Sequence, residues 1–166
     1  MARLVLVGLP GVGKTSVAQR IAQQWHCEAL DTDEVFLAHV GVTPADYLRA
    51  HDEPMFRLRE VDALATALAT TGVVATGGGV VVTPHARELL SREVTVWLDC
   101  DDDVLLDRLG DVDRPLLDHD PDAALALLRA QRTPWYEEVS KVRVDASGSL
   151  DVVARTVMDQ AKALTP

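Results

Sequence analysis

The sequence predicts an α/β domain: a parallel sheet with helices packed on both of its faces. Short runs that are continuously apolar and β-branched, such as residues 3–7 and 94–98, read as strands buried on both sides. These runs alternate with segments whose apolar residues recur every three or four positions, and strand–helix alternation builds parallel sheets. The chain has 166 residues, 48% hydrophobic and 25% charged, which suits one well-buried core and excludes a disordered, collagen-like or coiled-coil chain.

The elements follow in order. Residues 3–7 form the first strand, ending at a glycine, and residues 15–24 a helix with Val17, Ile21 and Ala22 on one face. Residues 27–30 give a second short strand that stops at Asp31. Thr43-Pro44 reads as a helix cap with proline in the first turn, and Asp52 with Pro54 opens a longer helix carrying Leu58, Val61, Leu64, Ala65 and Leu68. These two consecutive helices interrupt the alternation. It resumes after Gly72 with a strand at 73–76, a helix capped by Thr83-Pro84 and running through Leu90, and a strand at 94–98. A helix at about 102–109 precedes a polar stretch, 110–121, whose aspartates, glycine and prolines mark a lid candidate. Residues 123–139 are helical with Leu125, Leu128 and Val139 inward, 142–144 are a last strand, and an amphipathic helix closes the chain at 150–164.

Charge and cysteine content narrow the function. Sixteen Lys and Arg against 26 Asp and Glu leave a net charge of -10, which argues against a surface that grips nucleic acid or anionic lipid, so any bound anion needs a local site. Two cysteines, Cys27 and Cys100, form no disulfide framework and fit a reducing cytoplasm. The apolar run within residues 1–7 is too brief for a spanning helix or signal peptide, so a cytoplasmic protein without a membrane partner is expected. A small acidic domain without an evident apolar patch is compatible with a monomer. The five histidines are scattered without ligand spacing.

The sharpest chemical signal is Gly8-Leu9-Pro10-Gly11-Val12-Gly13-Lys14-Thr15, which matches G-x-x-x-x-G-K-[ST] between a strand and a helix. Its glycines let the backbone curl so that N–H groups face phosphate oxygens, Lys14 adds a point charge, and Thr15 offers a hydroxyl to Mg²⁺. The second signal is Asp31-Thr32-Asp33 at a strand end. In an extended segment both carboxylates face the same way, one towards a metal and one towards an attacking hydroxyl, unless they form only a solvated turn that caps the next helix. Arg57 could clamp a carboxylate, or form a surface ion pair with Glu60 three residues on. Gly77, Gly78 and Gly79 after a buried strand permit close approach to a ligand, or make a loose turn. In the lid candidate, Arg114 among Asp111, Asp113, Asp118 and Asp120 could close over a transferring phosphoryl group or merely offset its neighbours. Arg132 is a second possible carboxylate clamp or an exposed helix arginine. Asp99, at the end of an apolar strand, competes with Asp31 for the metal; Asp31 is preferred because Asp33 stands beside it, and Asp99 is read as a helix-capping acid.

Taken together these residues resemble the shikimate kinase family. The matching series is the 8–15 loop, Asp-Thr-Asp at 31–33, Phe-Arg-x-x-Glu at 56–60, the glycines at 77–79, Arg-Pro-Leu-Leu at 114–117 and Arg-x-x-x-Tyr at 132–136, in family order over almost the whole chain. The resemblance implies a P-loop NTPase-like three-layer fold with a five-stranded parallel sheet. It also implies one kinase domain over 1–166, with a substrate subdomain near 34–62 and a lid near 110–121. It further implies transfer of the ATP γ-phosphoryl group to the 3-hydroxyl of shikimate. Carried over by position, Gly11, Val12, Gly13, Lys14, Thr15 and Ser16 bind nucleotide, with Lys14 and Arg114 stabilising the transferring group. Thr15 binds Mg²⁺ directly and Asp31 through water, while Asp33 holds the acceptor hydroxyl and acts as base. Arg57 and Arg132 grip the acceptor carboxylate, Gly77–Gly79 line its pocket, and Arg108 stacks on adenine. The chain departs from the family at Asp52, where glycine is frequent, at Leu37, where glutamate is frequent, and in 144–150, which lacks a proline some members carry. Gluconate kinases are the near rival, but they usually carry a histidine soon after the acidic pair and residues 33–38 have none. A nucleotide-binding module without transfer activity is the alternative of another class; it would be expected to lose Asp33, Arg57 or Arg132.

Overall fold

The computed structural model describes residues 2–110 and 120–164. Five strands, β1 (Leu4–Val7), β2 (Ala29–Asp31), β3 (Val73–Ala75), β4 (Thr95–Asp99) and β5 (Val142–Asp145), form one sheet in the order β2-β3-β1-β4-β5, with every pairing parallel. The register sets Val5 beside Val74 on one side and Thr95 on the other. β1, β3 and β4 are buried throughout, as expected of strands covered on both faces. The covering helices are α1 (Lys14–Trp25), α2 (Thr32–Val40), α3 (Pro44–Ala50), α4 (Glu53–Leu68), α5 (Pro84–Ser91), α6 (Asp102–Leu109), α7 (Pro121–Val139) and α8 (Leu150–Leu164), with a 3₁₀ turn at Val80–Val82. The connection leaving β1 runs to β2 on one side and the one leaving β3 runs past β1 to β4 on the other, so they diverge at the C-terminal ends of β1 and β3, the place where open parallel sheets open a crevice for ligands.

The alternation is broken by three helices where the sequence reading had two. α2 was missed because Val35, Phe36, Leu37 and Val40 run around the helix instead of forming one stripe; Phe36 is buried while Leu37 is 43% exposed. In α4 the inward face is Phe56, Arg57, Glu60, Ala63, Leu64, Ala67 and Leu68, whereas Leu58 and Ala65, expected inward, are exposed. Periodicity judged from apolar residues alone cannot place a face that buries a charged pair. Thr43 and Asp52 cap α3 and α4 through their side chains as expected, at 3.1 Å to the Asp46 amide and 2.9 Å to the Met55 amide. Thr83 precedes α5 without a side-chain cap bond.

The main core lies on both faces of the sheet, and a second, smaller cluster of Phe36, Tyr47, Phe56 and Ala63 sits among α2, α3 and α4. Phe36 and Tyr47 pack edge to face with centroids 5.5 Å apart, and Phe36 and Phe56 pack tilted at 48° with centroids 5.6 Å apart. This cluster fixes the first turns of α2 and α4, and so the positions of Asp33 and Arg57.

Candidate active site

The turn after β1 enters α1 through glycines that no other residue could replace cheaply. Gly11 and Gly13 have φ of +84° and +101°, and Gly13 is the residue from which α1 starts. The helix N-terminus, with its unpaired amides and positive dipole end, thereby borders a cleft of about 520 Å³. Pro10 to Val17, Asp31, Asp33, Thr76 to Gly78 and Arg108 line it. Lys14 is 9% exposed, and its ammonium donates to the carbonyls of Gly8 at 2.8 Å and Leu9 at 2.9 Å. Arg108 donates to the Val12 carbonyl at 3.0 Å and the Ala146 carbonyl at 2.8 Å, tying the phosphate loop to the segment after β5.

Asp31 and Asp33 both reach this cleft, but not as neighbours on an extended strand. β2 ends at Asp31, which caps α2 by accepting the Asp33 amide at 2.8 Å, so Asp33 sits in the first helical turn. The expectation of two carboxylates side by side on a strand is therefore corrected. The other oxygen of Asp31 accepts from the Thr15 hydroxyl, which brings the two expected metal ligands together. Asp99 is not the helix-capping acid the sequence suggested. It is 4% exposed, paired with Arg129 at 2.9 Å and with Arg143, and Asp101 occupies the N-cap position of α6. Two cations neutralise it, and it does not line the cleft.

Arg57 is neither solvent-exposed nor a surface partner of Glu60: the two are 8% and 7% exposed and meet at 2.7 Å. Burial raises the Glu60 carboxyl above its ordinary value while the Arg57 charge opposes the shift. Arg57 also donates to Glu53 at 3.1 Å and to the Gly79 carbonyl at 3.1 Å. A Cβ at Gly79 would lie 2.4 Å from the Arg57 guanidinium, so any side chain there has to displace it. Gly77 stands against Asp33, and its amide donates to the Thr32 hydroxyl at 2.9 Å. Arg132 is not exposed either: on α7 it is 3% exposed, and its Nε has no hydrogen-bond partner among the described residues. Tyr136, one turn on, donates to the Gly78 carbonyl. The Arg57–Glu60 pair expected from the 57–60 spacing forms, but buried instead of on the surface, and Tyr136 has no role in the sequence reading although the 132–136 spacing puts it beside Arg132 on a helix face. Arg114 and the rest of residues 111–119, most of the 110–121 lid candidate, lie outside the described residues.

A phosphate loop, a carboxylate in reach of the same cleft and buried arginines beside a glycine turn define an ATP-dependent kinase of a small acidic molecule. The family model for shikimate kinase matches residues 10–162. The chain belongs to the shikimate kinase family. A shikimate kinase of Corynebacterium jeikeium is 42% identical over 148 residues, covering 88% of this chain and 80% of that relative. The structure of a shikimate kinase from Acinetobacter baumannii in complex with shikimate superposes with a TM-score of 0.92 at 30% identity, over 98% of this chain and 93% of that one. A gluconokinase from Sinorhizobium meliloti shares the fold alone, with a TM-score of 0.61 at 17% identity over 97% and 91% of the two chains.

Proposed function

We propose that this chain transfers the γ-phosphoryl group of ATP to the 3-hydroxyl of shikimate, releasing shikimate 3-phosphate and ADP. The reading rests on one observation: Asp33 lines the cleft that Lys14 and Thr15 also line, and the 77–79 turn joins it to the arginine side. Arg57 and Arg132 hold the acceptor carboxylate, a geometry a planar guanidinium meets with paired hydrogen bonds. Asp33 orients the acceptor hydroxyl and takes its proton as the oxygen–phosphorus bond forms. The bond to the bridging oxygen breaks, and its electrons leave with ADP. Lys14 stabilises the charge spread over the transferring group, joined by Arg114 on the strength of the resemblance, and Arg108 stacks on the base. The Thr15 hydroxyl and the Asp31 carboxylate are hard oxygen donors already in contact, a set that fits Mg²⁺, and these two residues would hold it. When bound, the ion neutralises phosphate charge.

Residues 1–166 act as one domain in this reading, with 34–62 as the acceptor subdomain, which its own aromatic cluster supports, and 110–121 as the lid. The enzyme works as a monomer, because groups for both substrates come from one chain, and in the cytoplasm, which its two free cysteines suit. ADP release measured with shikimate and gluconate side by side, with Mg²⁺, tests the assignment. Turnover is expected with shikimate; turnover of gluconate alone, or ATP binding with neither acceptor turned over, refutes it.

A further inference from the structure

The three glycines at 77–79 are fastened to three different helices, each of which carries a proposed site residue. The Gly77 amide donates to Thr32 of α2, next to Asp33. The Gly79 carbonyl accepts from Arg57 of α4. Between them, the Gly78 carbonyl accepts from the hydroxyl of Tyr136 on α7, the helix that carries Arg132 one turn earlier. One arginine is thus keyed to the turn directly and the other through a phenol.

We propose that Tyr136 is a positioning residue for the acceptor, its hydroxyl pinning the turn of α7 that carries Arg132 at a fixed spacing from Arg57 by way of the Gly78 carbonyl. The inference rests on the reading of those two arginines as the carboxylate clamp. Arg132 is buried and its Nε has no hydrogen-bond partner among the described residues, so its placement depends on how its helix is anchored to the 77–79 turn. The ring is itself immobilised: it is 1% exposed and stacks on Trp97 of β4 with centroids 5.8 Å apart and planes at 27°. Burial raises the phenol above its ordinary range, so it stays protonated and able to donate. A clamp displaced by a fraction of an ångström binds a rigid acid poorly, which makes the hydroxyl matter for the acceptor and not for the nucleotide.

Tyr136→Phe keeps the ring stack and removes only the hydroxyl. The shikimate KM should rise about tenfold while the ATP KM stays within about twofold. In an Arg132→Ala background the same change should add less than about twofold, because the residue it positions is gone. Trp97→Phe, which disturbs the stack and keeps the hydroxyl, should lower Tm and leave the shikimate KM in place. The inference fails if Tyr136→Phe leaves the shikimate KM unchanged, if both KM values rise together, if its effect persists in full without Arg132, or if Trp97→Phe reproduces it. A wild-type chain that does not turn over shikimate sinks the functional reading instead; an active wild type matched by Tyr136→Phe sinks this inference alone.

Discussion

Replacing Gly79 with alanine introduces a single methyl group, and its consequence can be worked from distances. The new Cβ would stand 2.4 Å from Nη1, 2.9 Å from Nη2 and 3.0 Å from Cζ of Arg57. Ordinary contact between such atoms begins near ~3.5 Å, so the guanidinium must retreat by roughly 1 Å. It can do so, being the end of a flexible side chain, but only by loosening its bonds to Glu60 at 2.7 Å and to the Gly79 carbonyl at 3.1 Å. The fold should survive, because the methyl meets no backbone atom among its nearest neighbours. The acceptor's carboxylate then loses one well-placed charge-assisted pair, about 1.5–3 kcal/mol. That corresponds to a rise of roughly 10- to 150-fold in the shikimate KM. A coupled ADP-release assay with each substrate varied in turn separates this from nucleotide effects, and the ATP KM should not move. A shikimate KM within about twofold of the parent, in a protein that melts normally, would falsify the placement of Arg57 against the acceptor.

Asp33→Asn should keep ATP affinity, read by calorimetry, while turnover falls by about two to four orders of magnitude; undiminished turnover removes Asp33 from the base role. Asp31→Ala removes both the cap on the Asp33 amide and the partner of Thr15. It should cost about 1 kcal/mol in a melt without nucleotide and raise the Mg²⁺ requirement, whereas Asp31→Asn should restore the melt but not the Mg²⁺ response. An alanine variant as stable as the asparagine one would refute the capping role. Glu93 is buried, and its Oε2 has no partner among the described residues. Burial raises its carboxyl above the ordinary value of 4.5, so the folded chain keeps a proton that the unfolded chain releases, and stability falls as pH rises above that value. Glu93→Gln should therefore melt higher than the parent at neutral pH, with the gap closing as pH falls towards 4.5; a gap independent of pH refutes the reasoning.

How legible each part was follows from how local its cause is. The phosphate loop could be read directly, since the turn needs glycine at defined positions and the lysine and threonine follow within two residues. The strands could be read too, because double-sided burial demands continuous apolar runs. Asp31 and Asp33 were recognised but given the wrong geometry. A three-residue strand that passes straight into a helix leaves no room for an extended acidic pair, and α2 shows no apolar stripe to announce itself. Arg57 and Arg132 could be named, but their burial could not, because a charged residue on a helix is by default a surface residue.

The sequence alone determined the order of the five strands, the glycine-lysine-threonine loop between β1 and α1 and the side chains proposed to bind and react, because backbone conformation and burial pattern are encoded over a few neighbouring residues. The tertiary structure decided which of those side chains meet. Only the return of α4 and α7 to the 77–79 turn takes Arg57 and Arg132 out of water, and only the passage of β2 into α2 turns Asp31 into both a cap and the partner of Thr15. Such contacts join residues 16 to 58 positions apart, and no local preference reaches that far.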